Sequence, residues 1–500
     1  MTFDELIVKD NVAPQTLVQV DIGNQNYQWT NYGSGIWMCD FENAYPWIDS
    51  SLLDGFSAQG FGAVGSVYVD GMLYTETTLE LLWSIPTSFY YDPDNRRVYI
   101  HVIDNDEIFL HEVTLGIVYG FSYEDITPIG SGVFYEGRLT GQISLRQQRD
   151  PLFFGKVAYT GGSITAINAD GDYDDWGESE NIYGNEVRIY YGFSELDFSE
   201  YKKMFVGYVE QVTISEDTIQ INIQDKRKQL TKPISYTCTA LNAFQAAREI
   251  LVNNLPITYT ETYFDTTAWA LAEGAVDNVS ISASGETIIS VIESICNSVF
   301  GVFEINREGK YSARVQQSGN TYFELDFNDV SNRYNLSYDP TEVLSSVKVG
   351  YNRDYATTGT AYDYYTDDSR EAAVVLKYKT YAERTFDTQL VTSASAAIFG
   401  STIMDYADTV ALKTSIEIPM AYYNTNLMDY VQIDVRRESS NMIGTTVFEV
   451  IGKTYDFSKN KIYLELRRSN ALFDVRKIDT GEERQVDASY TDRLRLVRSR

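Results

Sequence analysis

The sequence predicts a mainly β protein with α+β elements: several small antiparallel β domains, two of them similar barrels, and an intervening domain with amphipathic helices. Three observations lead there. Apolar positions recur with a period of two along most of the chain and are filled by β-branched and aromatic residues, as on strands with one buried face. At 500 residues the chain has room for about three domains of roughly 150 residues each. Its 44% hydrophobic and 14% aromatic content supplies ample core material despite a formal net charge of -31.

That charge, from 71 acidic against 40 basic residues, argues against a nucleic-acid grip or attraction to an anionic membrane. No apolar run reaches the roughly 18 residues of a membrane span. The acidic start, residues 1–10, lacks the basic and then apolar regions of a secretory signal, so synthesis in a cytosol is expected. Cys39, Cys238 and Cys296 are odd in number and widely separated, which predicts reduced thiols rather than a disulfide framework.

Residues 1–130 read as an N-terminal β domain: Leu17, Val18, Val20 and Ile22 form one strand, and residues 88–91 and 97–102 flank the turn Asp92-Pro93-Asp94-Asn95. Residues 131–235 read as a first barrel ending in a hairpin, with Val212 and Ile214, a turn near Glu216-Asp217, then Ile219, Ile221 and Ile223. Residues 236–335 form a helix-containing α+β domain. One helix is expected over 239–254 with Leu241, Phe244, Ala247, Ile250 and Leu251 on one stripe; Ser284 would cap a second carrying Ile288, Ile292, Ile295 and Val299.

Residues 336–470 read as a second barrel with one helix over 393–410, its stripe formed by Ala396, Phe399, Ile403, Tyr406 and Val410. Its hairpin runs from Val447 to Phe457, turns at Ser458-Lys459-Asn460, and returns through Ile462, Leu464 and Leu466. Val431, Ile433 and Val435 precede that hairpin much as Val187, Ile189 and Tyr191 precede the first, the pattern of two copies of one barrel. The stretch 352–370, with Tyr362, Tyr364 and Tyr365 among acidic residues, reads as an exposed loop or a contact surface. Residues 471–500 form a charged C-terminal tail, a frayed end or an arm for an acidic neighbour, with Arg484, Arg493, Arg495, Arg498 and Arg500.

Chemistry has little to stand on. Only His101 and His111 are present, both in one β region, and neither belongs to a nucleophile elbow or a zinc-binding helix motif. No phosphate-cradling glycine loop occurs, so no catalytic residue and no cofactor is expected, and the chain reads as a non-enzyme. One acidic loop places oxygens at alternate positions, Asn168, Asp170, Asp172 and Asp174, making it a calcium candidate; it lacks the glycine and the following helix of an EF-hand. The other reading is a polar turn whose side chains bond their own backbone.

Four segments together resemble the baseplate-hub or tail-tip hub proteins of tailed bacteriophages. Residues 164–174, Gly184, strand 187–192 and 205–209 look like the first hub barrel, and the helix 286–300 leads into the hairpin 301–312 as in hub proteins. Tyr338-Asp339-Pro340 with 345–355 resembles the strand entering the second barrel, followed by the Ser/Ala-rich helix and strands 416–418 and 430–435. The resemblance covers roughly residues 130–470.

It implies a structural virion protein at the distal end of the tail: a homotrimer whose six barrels adapt a sixfold tail tube to a threefold tip. Implied partners are tail-tube or distal tail proteins above and tip, spike or fibre proteins below, with DNA passing through the channel without specific binding. The acidic charge is compatible with such a lumen. The alternative from another class is a carbohydrate-binding receptor-recognition protein or glycan hydrolase, with Trp37, Trp47 and Trp83 as its candidate sugar-stacking residues.

Overall fold

The computed structural model describes residues 3–468, apart from 8–13, 25–28, 34–35, 41–62, 70–71, 74, 77, 83, 85–87, 93–96, 102–112, 130, 132, 177–181, 317–321, 326–335, 356–360 and 436–443. Strands dominate it, as the alternation requires.

Seven strands build the first barrel: β1 (Pro14–Asn24), β2 (Val113–Phe121), β3 (Leu139–Gln148), β4 (Gly161–Ile167), β5 (Glu186–Phe193), β6 (Lys202–Ile214) and β7 (Thr218–Gln224). Their hydrogen-bonded order is β3-β4-β7-β6-β5-β1-β2. The circuit closes where Tyr135–Glu136 runs parallel to β2 and the Leu139 N–H donates to the Ser122 carbonyl at 2.8 Å. Inward residues such as Ile164, Val187, Ile189, Ile219 and Ile221 are fully buried, which fixes the register because a one-residue slip would turn them outward.

The residues expected as a separate N-terminal domain therefore give β1 and β2 to this barrel. Between these strands, 29–33, 36–40, 97–101, 88–92 and 75–76 form a separate five-stranded sheet, in that order. The hairpin read at Asp92-Pro93-Asp94-Asn95 is present, with Ser88 opposite His101 and Asp92 opposite Arg97.

The central domain pairs β8 (Pro233–Asn242) with β9 (Asn278–Thr287) beside helices α1 (Ala243–Asn254), α2 (Thr266–Glu273) and α3 (Ile288–Ser298). A tight hairpin follows, β10 (Gly301–Ile305) with β11 (Tyr311–Val315). Both sequence-read helices begin later than expected. Residues 239–242 stay in β8, and Asn242 caps α1 by accepting from the N–H groups of Phe244 and Gln245. Ser284 lies in β9 opposite Ser235, and Thr287 caps α3 instead. In each case pairing of β8 with β9 overrides the start of the helical stripe.

The last described segments are β12 (Tyr322–Leu325), β13 (Ser337–Asp339), β14 (Ser346–Asp354), β15 (Ala361–Asp367), α4 (Glu371–Tyr378), β16 (Glu383–Asp387), α5 (Ser393–Ala407), β17 (Ala411–Pro419), β18 (Tyr430–Val435), β19 (Gly444–Asp456) and β20 (Lys461–Arg468). β13-β17-β20-β19 continue the large sheet, with β18 on β19 and β12 parallel to β18. β14 does not enter that sheet. It pairs antiparallel with β15 and parallel with β16, making a three-stranded sheet against α5 that is inserted within the second barrel segment.

Two expectations are corrected there. The stretch 352–370 is not a plain loop, because β15 zips onto β14 from Val347↔Asp367 to Asp354↔Ala361. The segment also holds two helices rather than one: α4 escapes periodicity because it is short and buries only Val374. The Arg-rich tail, 471–500, lies outside the described residues.

Gly155 ties the barrel to the central domain. A Cβ there would sit 2.0 Å from the Glu293 carbonyl oxygen and 2.7 Å from the Asn297 nitrogen, both backbone atoms of α3. Gly155→Ala is therefore expected to lower stability by about 1–3 kcal/mol through forced separation of the 150–157 turn from α3. The check is a reduced urea midpoint at unchanged slope.

Candidate assembly surface

The two hairpin modules are the same structure twice. In the first, neighbours run β4-β7-β6-β5; in the second, β17-β20-β19-β18, so each position in chain order keeps its place in the sheet. Registers agree as well: Ile164 faces Ile221 and Ala166 faces Ile219, while Ile416 faces Leu464 and Ile418 faces Ile462. β6 and β19 are each 13 residues long. Each carries one extra residue, after Val209 in the first and after Val450 in the second.

Loop hydrogen bonds repeat with the strands. Gly184 and Met428 donate N–H to Val209 and Val450, each at 2.9 Å; Val209 and Val450 donate back to the carbonyls of Asn185 and Asp429 at 3.0 and 2.9 Å. Asn168 bonds Asp217 as Met420 bonds Asn460. Gly184 and Met428 both have left-handed backbone, φ +79° and +68°. Most side chains cost about 1–2 kcal/mol there, so the buried Met428 is held by its surroundings where the first copy uses glycine.

The copies are joined edge to edge through β3. One edge of β3 pairs with β4; the other pairs antiparallel with the second half of β19, from Ser144↔Asp456 to Gln148↔Gly452. Just beyond, Arg149 and Glu449 form a fully buried ion pair. The Tyr406 hydroxyl donates to the other Glu449 oxygen at 2.9 Å, and Arg467 donates to the Tyr406 carbonyl at 3.0 Å. Burial opposes the Arg149 charge, but Glu449 holds the guanidinium above its ordinary proton affinity. Burial likewise pushes the Tyr406 phenol well up, keeping it a neutral donor.

The second copy has its own counterpart of β3. β13 pairs with β17, Ser337 facing Lys413 and Asp339 facing Ala411, at the place where β3 meets β4. Lys413 clamps it, reaching Asp339 at 3.0 Å and Glu342 at 2.6 Å, and Arg467 reaches Glu342 at 3.0 Å. Hydrogen bonds from Thr341 and from Lys413 hold the Asp339 carboxyl down at about 2. Among the described residues the outer edge of β13 carries no strand, and neither does the second half of β6.

The acidic loop is already engaged by a cation of the chain itself. Arg138 meets Asp170 at 2.7 Å and Asp172 at 2.8 Å; Asn168 donates to Asp174 at 2.8 Å and accepts from the Tyr173 N–H at 2.9 Å. Burial opposes, but Arg138 overcomes it and lowers the Asp170 carboxyl's proton affinity. Of these bonds, the one from the Tyr173 N–H ties Asn168 to the loop's own backbone, as in a polar turn, and no group of three or more His, Cys, Asp or Glu side chains placed to hold a metal occurs among the described residues.

His101 is buried with its Nδ1 2.7 Å from the Leu82 carbonyl oxygen; His111 lies outside the described residues. Trp37 is on strand 36–40, its side chain outside the description, and Trp47 and Trp83 lie outside altogether. Cys238 and Cys296 are free thiols, the latter fully buried and pushed well up by that burial. What sequence reading missed is the role of β3 and β13 as shared and terminal edges: strand alternation reveals faces and not edges.

The fold thus defines a mainly β protein in which a barrel and a second strand module of the same order are joined through β3, with α+β modules inserted. No family model matches the sequence, and no curated protein does. Among the solved structures it resembles are two tail proteins and a type VI secretion system component. The prophage MuSo2 43 kDa tail protein from Shewanella oneidensis is 12% identical, covering 69% of this chain and 98% of its own, with a TM-score of 0.43. A tail protein from Neisseria meningitidis is 10% identical over 70% of this chain and 96% of its own, at 0.44. A type VI secretion system component from E. coli is 10% identical over 67% and 74%, at 0.37.

Two outcomes test the junction. Glu449→Ala leaves Arg149 buried and unpaired, and is expected to cost about 3–5 kcal/mol in equilibrium unfolding. The Asp339 clamp is present above the carboxyl's ordinary value of 3.8 and is lost as pH falls toward 2. Hydrogen exchange at Ser337–Asp339 is therefore expected to accelerate over that window, and Asp339→Asn is expected to abolish the dependence.

Proposed function

We propose that this chain is a structural component of a bacteriophage tail tip or baseplate: a trimeric hub that adapts a sixfold tail tube to a threefold tip and forms part of the channel for DNA. The observation that carries the reading is the in-register duplication joined by β3. A chain with two equivalent modules presents six around a threefold axis, so one ring can meet sixfold and threefold neighbours. The resemblance of the sequence to hub proteins supports the same reading.

On this reading the function is interface formation, without a reaction, a metal or a cofactor. The N-terminal five-stranded sheet and the β14-β15-β16 insert with its tyrosines stand outside the duplicated modules and are the surfaces for proteins above and below. A net charge of -31 suits a lumen from which DNA must depart, because acidic walls do not retain phosphates. In the mature particle the chain would sit at the distal end of the tail.

Light scattering with negative-stain averaging of the purified protein, alone and beside a tail-tube protein, tests this. A three-chain mass and a ring with a central opening and six similar lobes is expected. A monomer at every concentration, with no ring beside tail-tube protein, overturns it.

A further inference from the structure

We infer that β13 of one chain adds to the exposed edge of the second half of β6 in the next chain, repeating between chains the β3–β19 contact made within one. This deepens the hub reading and rests on it. The argument is one of equivalence. β3 and β13 occupy the same place on their modules, with Arg146 facing Gly161 in the first and Ser337 facing Lys413 in the second. β6 and β19 also correspond residue by residue beyond their bulges, Gln211 with Gly452 and Val212 with Lys453.

Within the chain, β3 meets β19 with Arg146↔Thr454, Gln147↔Lys453 and Gln148↔Gly452. Transferring that register gives Ser337 opposite Thr213, Tyr338 opposite Val212 and Asp339 opposite Gln211.

Burial marks the vacancy of one edge against the other. Gly452, Lys453 and Tyr455 of β19 are buried under β3, whereas Gln211 and Thr213 of β6 are exposed and Val212 and Ile214 half-buried. Tyr338 is 61% exposed, while Gln147, its counterpart on β3, is 4% exposed. The run Gln211-Val212-Thr213-Ile214 has no proline and no charge, the features that usually guard a free edge.

Backbone parity agrees. Ser215 turns its N–H inward to Thr218 at 2.8 Å, so Val212, three residues earlier, points its N–H away from β7. At the β3–β19 contact the second module makes the matching outward bonds: the Phe457 N–H donates to the Ile143 carbonyl at 3.3 Å, and the Ile451 carbonyl accepts from the Arg149 N–H at 3.0 Å. Val212 with Tyr338 is then a hydrogen-bonded pair, and Thr213 with Ser337 a non-hydrogen-bonded pair. Cα atoms of such a pair lie about 4.5 Å apart, inside the range a disulfide spans. The contact joins two different edges, so it runs head to tail and builds a ring.

The test is the full-length Thr213→Cys, Ser337→Cys double variant, mildly oxidised under conditions where light scattering shows assembly, and run on a non-reducing gel beside each single variant. A covalent three-chain band in the double variant alone is expected. Assembled chains with no linkage above the single variants overturn the edge pairing and leave the trimer standing. Chains that remain monomeric at every concentration, with tail-tube protein present, overturn both.

Discussion

Everything in this molecule hangs on one strand having two edges. β3 satisfies its backbone groups on one side against β4 and on the other against β19, so a single chain of hydrogen bonds runs from the first module into the second. A strand buried between neighbours cannot leave N–H and C=O groups unpaired without a large penalty. The relative placement of the modules is therefore fixed by ladder geometry rather than by side-chain packing alone. Gln142 adds a bond to Asp456 at 2.7 Å, and Gln148 one to Glu465 at 2.8 Å, on either side of that ladder.

Polar burial around the junction serves the same end. Arg149, Glu449, Tyr406 and Arg467 are placed where a slip of one strand would strand a charge in the interior, which is far costlier than leaving an apolar group misfitted. Nearby, Arg314 reaches Asp429 at 3.0 Å, tying the central hairpin to the loop ahead of β18. Burial raises the Asp429 carboxyl's proton affinity and Arg314 only partly offsets it, so this contact is sensitive to loss of its partner. Such networks add little net stability over a packed apolar core, but they penalise the wrong register.

Much of the fold was legible in the sequence because its cause is local. Alternation gave the hairpins at 212–223 and 447–466, and the similar spacing of Val187, Ile189 and Val431, Ile433 revealed the duplication that the shared register establishes. Helical stripes in α1, α3 and α5 were visible for the same reason. Helix starts were misplaced where β8 and β9 pair, since a strand's claim on residues 239–242 and 284–287 depends on partners 36 (278 − 242) to 54 (287 − 233) residues away. The acidic loop was legible as oxygen-rich, but Arg138, which fills it, lies 32 residues from Asp170 and no spacing rule connects them.

By itself, then, the sequence determined which faces are buried, where hairpins turn, that two modules share a pattern and that the chain carries a strongly acidic surface. These are properties of neighbours along the chain. Only the tertiary structure decided that β1 and β2 belong to the first barrel, that β14 pairs in a sheet of its own, and that β3 joins the modules while β13 and half of β6 carry no further strand among the described residues. Edges are made by partners distant in sequence, and alternation is the same on a strand with two neighbours as on a strand with one.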